Sequence, residues 1–291
     1  MTILSIITIN IIYFNYKDSH NINAIKKEIL LSTHISAESA IVMNTKNHTI
    51  YFEQNAYKKM LPASITKILT CIVAIENYHL NDYVIVDEQV NTIEGSKIYL
   101  KPGDIISIKD LLFGAMLCSG NDAAKLLATK YSGKEEDFIF LMNKLCKKIN
   151  ANSSIFNNPT GLDSINQNYT TAYDMALITS YAMENETFRN INQTISYSPT
   201  IYSDSKLYFF NKHKLIRNYD YVIGGKTGYT KKAGRTLVSV FKENELEIVI
   251  VTLNDPNDWN NHLTLARNIF KESELNNWWL IKFGTLSSWL E

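Results

Sequence analysis

Pro62-Ala63-Ser64-Ile65-Thr66-Lys67-Ile68-Leu69-Thr70-Cys71-Ile72-Val73-Ala74-Ile75 is a proline followed by a run that contains no glycine and no further proline. A proline just ahead of such a run is a helix start signal. Ser64 then stands at the helix N-terminus with Lys67 one turn below it, on the same face at i and i+3. Free N–H groups and a positive partial charge collect at that end of a helix. An oxyanion developing on a group bound there would be stabilised. In isolation the pair reads as an N-cap serine and a solvated lysine.

Two further motifs change that reading. Ser119-Gly120-Asn121 follows a helical stretch over Lys109 to Leu117, and Lys226-Thr227-Gly228 sits in a strand-like run from Gly224 to Thr230. The three motifs supply different parts: a nucleophile with its base, a proton relay with an amide anchor, and a cation-lined strand edge. S-x-x-K also occurs at Ser203/Lys206, in a polar turn, and at Ser239/Lys242, in a strand pattern where residues three apart face opposite ways. K-T-G occurs once. Taken alone, K-T-G after Gly224-Gly225 would read as a turn.

In this order and in these local settings, the motifs resemble those of penicillin-binding proteins and class A β-lactamases. Pro62-Ala63-Ser64-Ile65-Thr66-Lys67, Ser119-Gly120-Asn121-Asp122-Ala123-Ala124, Asn158-Pro159-Thr160-Gly161-Leu162, Thr171-Ala172-Tyr173-Asp174 and Gly225-Lys226-Thr227-Gly228-Tyr229-Thr230 together resemble low-molecular-mass penicillin-binding proteins, the D-alanyl-D-alanine carboxypeptidases, over about Ile35 to Phe270. The resemblance implies a serine peptidase that removes the last D-alanine of a peptidoglycan stem peptide and is acylated by β-lactams. Ser64 would be the nucleophile, Lys67 its base and Ser119 the relay to the leaving D-alanine. Asn121 would hold the substrate amide. Lys226 and Thr227 would face the terminal carboxylate, and Gly228 would let the substrate lie along the strand edge. The N–H groups of Ser64 and Tyr229 would form the oxyanion hole. The resemblance also implies a location on the outer face of the cytoplasmic membrane, or secretion. Thr160 departs from the family at a place where many members carry histidine. Those proteins usually continue into a small β-rich domain and an amphipathic anchor, where this chain stops.

Two other readings compete. A serine β-lactamase of class A uses a glutamate-directed water for deacylation; the stretch from Asn157 to Asn168 holds no glutamate, and its one acid is Asp163. A non-catalytic peptidoglycan-binding protein on the same fold would not need the full set of side chains, all of which are present.

Composition narrows the class further. Lys and Arg balance Asp and Glu at 29 each, with no basic stripe, so nucleic acid is not an expected partner. The three cysteines form no C-x-x-C and the six histidines no H-E-x-x-H, so neither a metal nor another cofactor is expected. Residues 1–16 contain an apolar run of signal-peptide length without a preceding positive charge, read as a degenerate signal or an anchor. Residues 17–37 form a polar connector and 38–272 the catalytic domain, with a mostly helical insert over about 80–190. A hairpin opens the domain around Lys46-Asn47-His48. Strands return after 196, and a helix over about His262 to Lys271 closes the domain. The fold class is therefore α+β, a sheet flanked by helices with a helical insert and the site where they meet. In the tail, 273–291, Trp279, Phe283, Leu286 and Leu290 fall on one helical face beside Trp278 and Trp289. That face suits either packing onto the domain or contact with a membrane surface through the termini.

Overall fold

The computed structural model describes residues 35–163, 166–202 and 206–283, with side chains described as far as 271. The expected signal or anchor segment and most of the connector lie outside the described residues, as does the end of the Trp-rich tail. The chain divides into two units, one of residues 36–266 and one of residues 1–35 and 267–291. The account below concerns the first.

The sequence of Leu246–Leu253 (β10) is apolar at nearly every position, and every residue after Leu246 is buried. A strand that is apolar on both faces belongs in the middle of a covered sheet. It does so here. The five-stranded sheet is antiparallel throughout and runs, edge to edge, Ile50–Gln54 (β2), Ser39–Asn44 (β1), β10, Gly234–Glu243 (β9) and Val222–Thr230 (β8). Ser39–Asn44 (β1) pairs with β10, Ser39 opposite Leu253, so both ends of the unit meet at the sheet centre. Ile50–Gln54 (β2) completes the expected amino-terminal hairpin. Gly234–Glu243 (β9) and Val222–Thr230 (β8) lie on the other side, which makes β8 an edge strand.

Lys67–Asn77 (α1) buries every residue from Lys67 to Ala74, the mark of a helix enclosed on all sides. It packs among Ile108–Leu117 (α2), Asn121–Lys130 (α3), Glu135–Lys148 (α4) and Ala172–Glu184 (α5). α5 also packs on β1 and β10, joining the helical region to the sheet. The expected helical stretch includes two short strands, Tyr83–Ile85 (β3) and Ile105–Ser107 (β4), which pair with each other. Three-residue strands fall below the length at which alternation is readable. The closing helix (α8) runs over Asp258–Phe283, longer at both ends than its apolar pattern suggested.

The outer face of the sheet carries a buried polar chain. The His213 Nε2 lies 3.0 Å from the Ser239 hydroxyl, which is 2.8 Å from His262 Nδ1; His262 Nε2 is 3.1 Å from the Thr252 hydroxyl. Burial pushes His213 down to about 3 and holds His262 well below the ordinary histidine value. The folded chain therefore keeps both rings neutral, while the unfolded chain protonates them near pH 6.5. Stability should be fully present above about pH 6.5 and fall as pH drops towards the folded values, by up to about 2 kcal/mol per histidine at pH 5. Urea melts between those pH values check this: replacing both residues by glutamine should flatten the dependence.

Candidate active site

The site begins with a tight turn. Ala63–Thr66 is a 3-10 segment that runs into α1 at Lys67, so Ser64 precedes the α-helix rather than opening it. Ala63 takes φ +49°, in the left-handed region. Two neighbours hold it there: the Thr236 hydroxyl donates to Pro62 O at 2.9 Å, and the Thr66 hydroxyl donates to Ala63 O at 2.8 Å. In a 3-10 turn, residues i and i+3 eclipse. Ser64 Oγ accordingly sits directly over Lys67, 3.1 Å from Nζ.

Lys67 is fully buried, and three oxygens surround its amine. Besides Ser64 Oγ, Nζ donates to Asn121 Oδ1 at 2.7 Å and to Thr160 O at 2.7 Å. The Asn121 amide is oriented by its other end, where Nδ2 donates to Glu94 O at 2.7 Å. Burial, and then the Lys226 charge, hold Lys67 well below the usual lysine range. Burial and the Lys212 charge push Lys226 down to about 7. The dryness of the site and the neighbouring cation both favour the neutral form of the Lys67 amine.

Ser119 takes φ +62° at the start of α3, an uncommon conformation for a residue with a side chain. With Ser64, Thr227, Gly228 and Tyr229 it lines one cleft of about 390 Å³. Lys226 does not line it. Its side chain is buried, and Nζ donates to Thr227 O at 3.0 Å. Gly228 is required by close approach: a Cβ there would lie 2.8 Å from Ser64 N and 2.3 Å from Thr236 Oγ1. The edge of β8 thus touches the Ser64 turn, bringing the backbones that carry the Ser64 and Tyr229 N–H groups together.

The sequence motifs did not single out the rest of the cleft wall. Ser96 and Lys212 face each other, with Nζ donating to Ser96 Oγ at 3.3 Å. Arg235 is held by Asp258 through two hydrogen bonds, 3.1 and 2.8 Å, and lies near the Trp259 ring. Asp122, fully buried, accepts from the N–H groups of Ile98 and Tyr99 at 3.0 Å and so fixes the strap that carries Ser96. The Thr160 carbonyl was out of reach of motif reading, because a backbone oxygen leaves no residue signature. Asp122 could have been suspected, as a buried acid in an apolar helix start. Among the described residues no group of three His, Cys, Asp or Glu could hold a metal ion.

A family model of D-alanyl-D-alanine carboxypeptidases matches residues 24–257, and the chain belongs to that family. It is 32% identical over 220 residues to the D-alanyl-D-alanine carboxypeptidase DacF of Bacillus subtilis, covering 74% of this chain and 56% of that one. Against DacC of Escherichia coli it is 31% identical over 273 residues, covering 86% of this chain and 62% of the relative. The chain thus spans roughly three fifths of these two relatives. Among solved structures, a D-alanyl-D-alanine carboxypeptidase of Mycobacterium tuberculosis superposes with a TM-score of 0.77 at 29% identity, over 82% of this chain and 92% of that one. The DD-transpeptidase of Streptomyces K15 gives 0.76 at 26% identity, over 82% and 97%. These neighbours share the α+β arrangement of sheet and helices.

Gly161 offers a test of how tightly the site is built. It takes φ +80°, and a Cβ there would lie 1.8 Å from Ala63 O. Gly103 has a similar φ, +89°, with nothing within 4 Å. Gly161→Ala should cost ~3 kcal/mol or more in urea unfolding, against about 1 kcal/mol for Gly103→Ala, which carries the backbone strain alone.

Proposed function

We propose that the protein is a serine D-alanyl-D-alanine carboxypeptidase, working through an acyl-enzyme on Ser64. One observation carries the reading: the donors and acceptors around Lys67. A neutral lysine amine has two N–H groups and one lone pair. Asn121 Oδ1 and Thr160 O are carbonyl oxygens that can only accept, so they take the two N–H groups. The lone pair is left facing Ser64 Oγ, the one neighbour that can donate. A neutral buried amine at hydrogen-bond distance from a hydroxyl is a general base in working position.

The steps follow from that arrangement. Ser64 Oγ attacks the penultimate D-alanine carbonyl as its proton passes to Lys67 Nζ. The oxyanion forms against the N–H groups of Ser64 and Tyr229. Collapse breaks the peptide bond as Ser119 passes its hydroxyl proton to the departing D-alanine nitrogen and takes one in turn from Lys67 Nζ, which leaves that amine neutral again. Water then cleaves the ester, with Lys67 taking the water's proton and a proton returning to Ser64 Oγ. Asn121 and the β8 edge hold the peptide, and Thr227 faces its terminal carboxylate beside the Lys226 charge. β-Lactams would acylate the same serine.

The β-lactamase reading has less support. Among the described residues lining the cleft the one acid is Asp258, which is tied to Arg235 by both carboxylate oxygens. No free carboxylate is there to direct a hydrolytic water, so a penicilloyl ester should persist. The substrate polymer lies outside the cytoplasmic membrane, which puts the site of action on its outer face or beyond. No helix among the described residues is long and apolar enough to cross a membrane. Any membrane contact would rest on the termini.

Intact mass after brief exposure to benzylpenicillin tests the assignment. The wild type should carry a persistent adduct and release D-alanine from a pentapeptide, and Ser64→Ala should do neither. Lys67→Ala should lower acylation by at least about a hundredfold, the usual effect of a lost general base. Drug consumed without an adduct would favour the β-lactamase, and drug left intact would favour a binding protein.

A further inference from the structure

The Thr160 carbonyl points at Lys67 because one side chain turns it there. Asn158 is buried, 6% exposed, in the loop that crosses beneath the nucleophile turn. Its Oδ1 accepts three hydrogen bonds: from Thr160 N at 3.1 Å, the Thr160 hydroxyl at 3.0 Å and Gly161 N at 2.7 Å. Its Nδ2 donates to Leu162 O at 3.3 Å and Asn166 O at 3.1 Å. The amide orientation is thereby settled, since reversing it would set donors against donors. With both N–H groups of the 160–161 segment drawn inward to Asn158, the Thr160 carbonyl is left facing the other way, onto Lys67 Nζ.

The loop is also fixed from outside. Asn168 Oδ1 accepts from Asn157 N and Asn158 N, and its Nδ2 donates to Asn158 O and the Thr66 hydroxyl. The Thr70 hydroxyl donates to Pro159 O at 2.7 Å. The loop is thus bonded to the nucleophile turn and to α1 at points around Lys67, and only at Thr160 does it touch the amine.

Resting on the carboxypeptidase reading, we propose that Asn158 is a positioning residue for the general base. By gathering three donors on one oxygen it aims the Thr160 carbonyl at Lys67 Nζ and so decides that the lysine lone pair faces Ser64. Without that carbonyl the amine has one fixed acceptor in place of two, and its lone pair can rotate away from the nucleophile. The titratable groups that reach Lys67 lie elsewhere: Lys226 on β8, Lys212 on the opposite wall, Asp122 on α3 and, on its own helix, the Cys71 thiol, which burial keeps neutral. Truncating Asn158 leaves those in place and changes only the orientation and the dryness of the amine. Since burial is the leading cause of its low proton affinity, water let in should restore some of that affinity.

The test is the rate of benzylpenicillin acylation, followed by intact mass from about pH 5 to pH 10 on the full chain, with a melting temperature for each variant. Asn158→Ala should fold, lose about thirtyfold in its plateau rate and shift its acid limb upward by about one unit. Asn158→Asp keeps the three-bond acceptor and adds a negative charge near the amine. It should shift the acid limb upward yet hold its plateau within about tenfold of wild type. A folded Asn158→Ala with a wild-type acid limb and a plateau within about threefold would overturn the proposal. If Asn158→Ala does not fold, Asn158→Asp decides, and a plateau lowered beyond tenfold at a wild-type melting temperature rejects it. Loss of fold in both would make Asn158 purely structural and equally reject it. A wild type that is never acylated takes down the carboxypeptidase reading itself, an outcome separate from all of these.

Discussion

A primary amine with no access to water is the constraint on which this domain is built. Burying an ammonium without partners is prohibitive, and burying a neutral amine is tolerable only when its N–H groups find acceptors. The chain meets that condition with oxygens from two distant segments, the Asn121 side chain and the Thr160 backbone. Each needs its own support, the Glu94 carbonyl for one and the Asn158 amide for the other. The helix that carries Lys67 can then be enclosed on all sides, which makes it the axis of the helical region. The polar requirements of one side chain thereby fix the relative placement of three loops.

The second lysine shows the same economy in reverse. Lys226 is buried, close enough to bias Lys67 towards the neutral form, and it spends a hydrogen bond on Thr227 O. Its effect on the cleft is therefore a field, exerted from outside the lining, while the groups that line the cleft are hydroxyls, backbone, the cations Lys212 and Arg235, the Asp258 carboxylate paired with Arg235 and the Trp259 ring. The glycine at 228 serves the same closeness, because only a residue without a side chain lets the strand edge reach the Ser64 turn.

The sequence made parts of this legible for physical reasons. The amino-terminal hairpin and the three long strands near the carboxyl end show continuous or alternating apolar patterns around polar turns, and these patterns are local. Ser64, Lys67, Ser119, Asn121, Thr227 and Gly228 fall in three motifs, with Tyr229 directly after the third, and the structure gathers all seven at or beside one cleft. What stayed hidden has no local signature. The 3-10 turn at Ser64 depends on Thr236, far along the chain. The role of Thr160 belongs to its backbone, and that of Asp122 to three N–H groups on a strap that reads as ordinary loop. Arg235, Asp258 and Trp259 meet only because β9 and the start of α8 lie side by side. The placement of Lys226 outside the cleft lining depends on the tertiary course of its strand. A motif can name such a residue without saying which way it faces.

The pairing of β1 with β10 has a consequence in time. Ser39 lies opposite Leu253, so the central sheet cannot close until nearly the whole unit has been synthesised. Contacts across so long a stretch form late, since loop closure must come before they contribute. The Thr236 hydroxyl that steadies the Ser64 turn comes from β9, beside that last strand. An emerging chain therefore carries Ser64 as an ordinary alcohol. The surroundings that hold its hydroxyl against Lys67 are complete only when the fold is, and a half-made molecule lacks them.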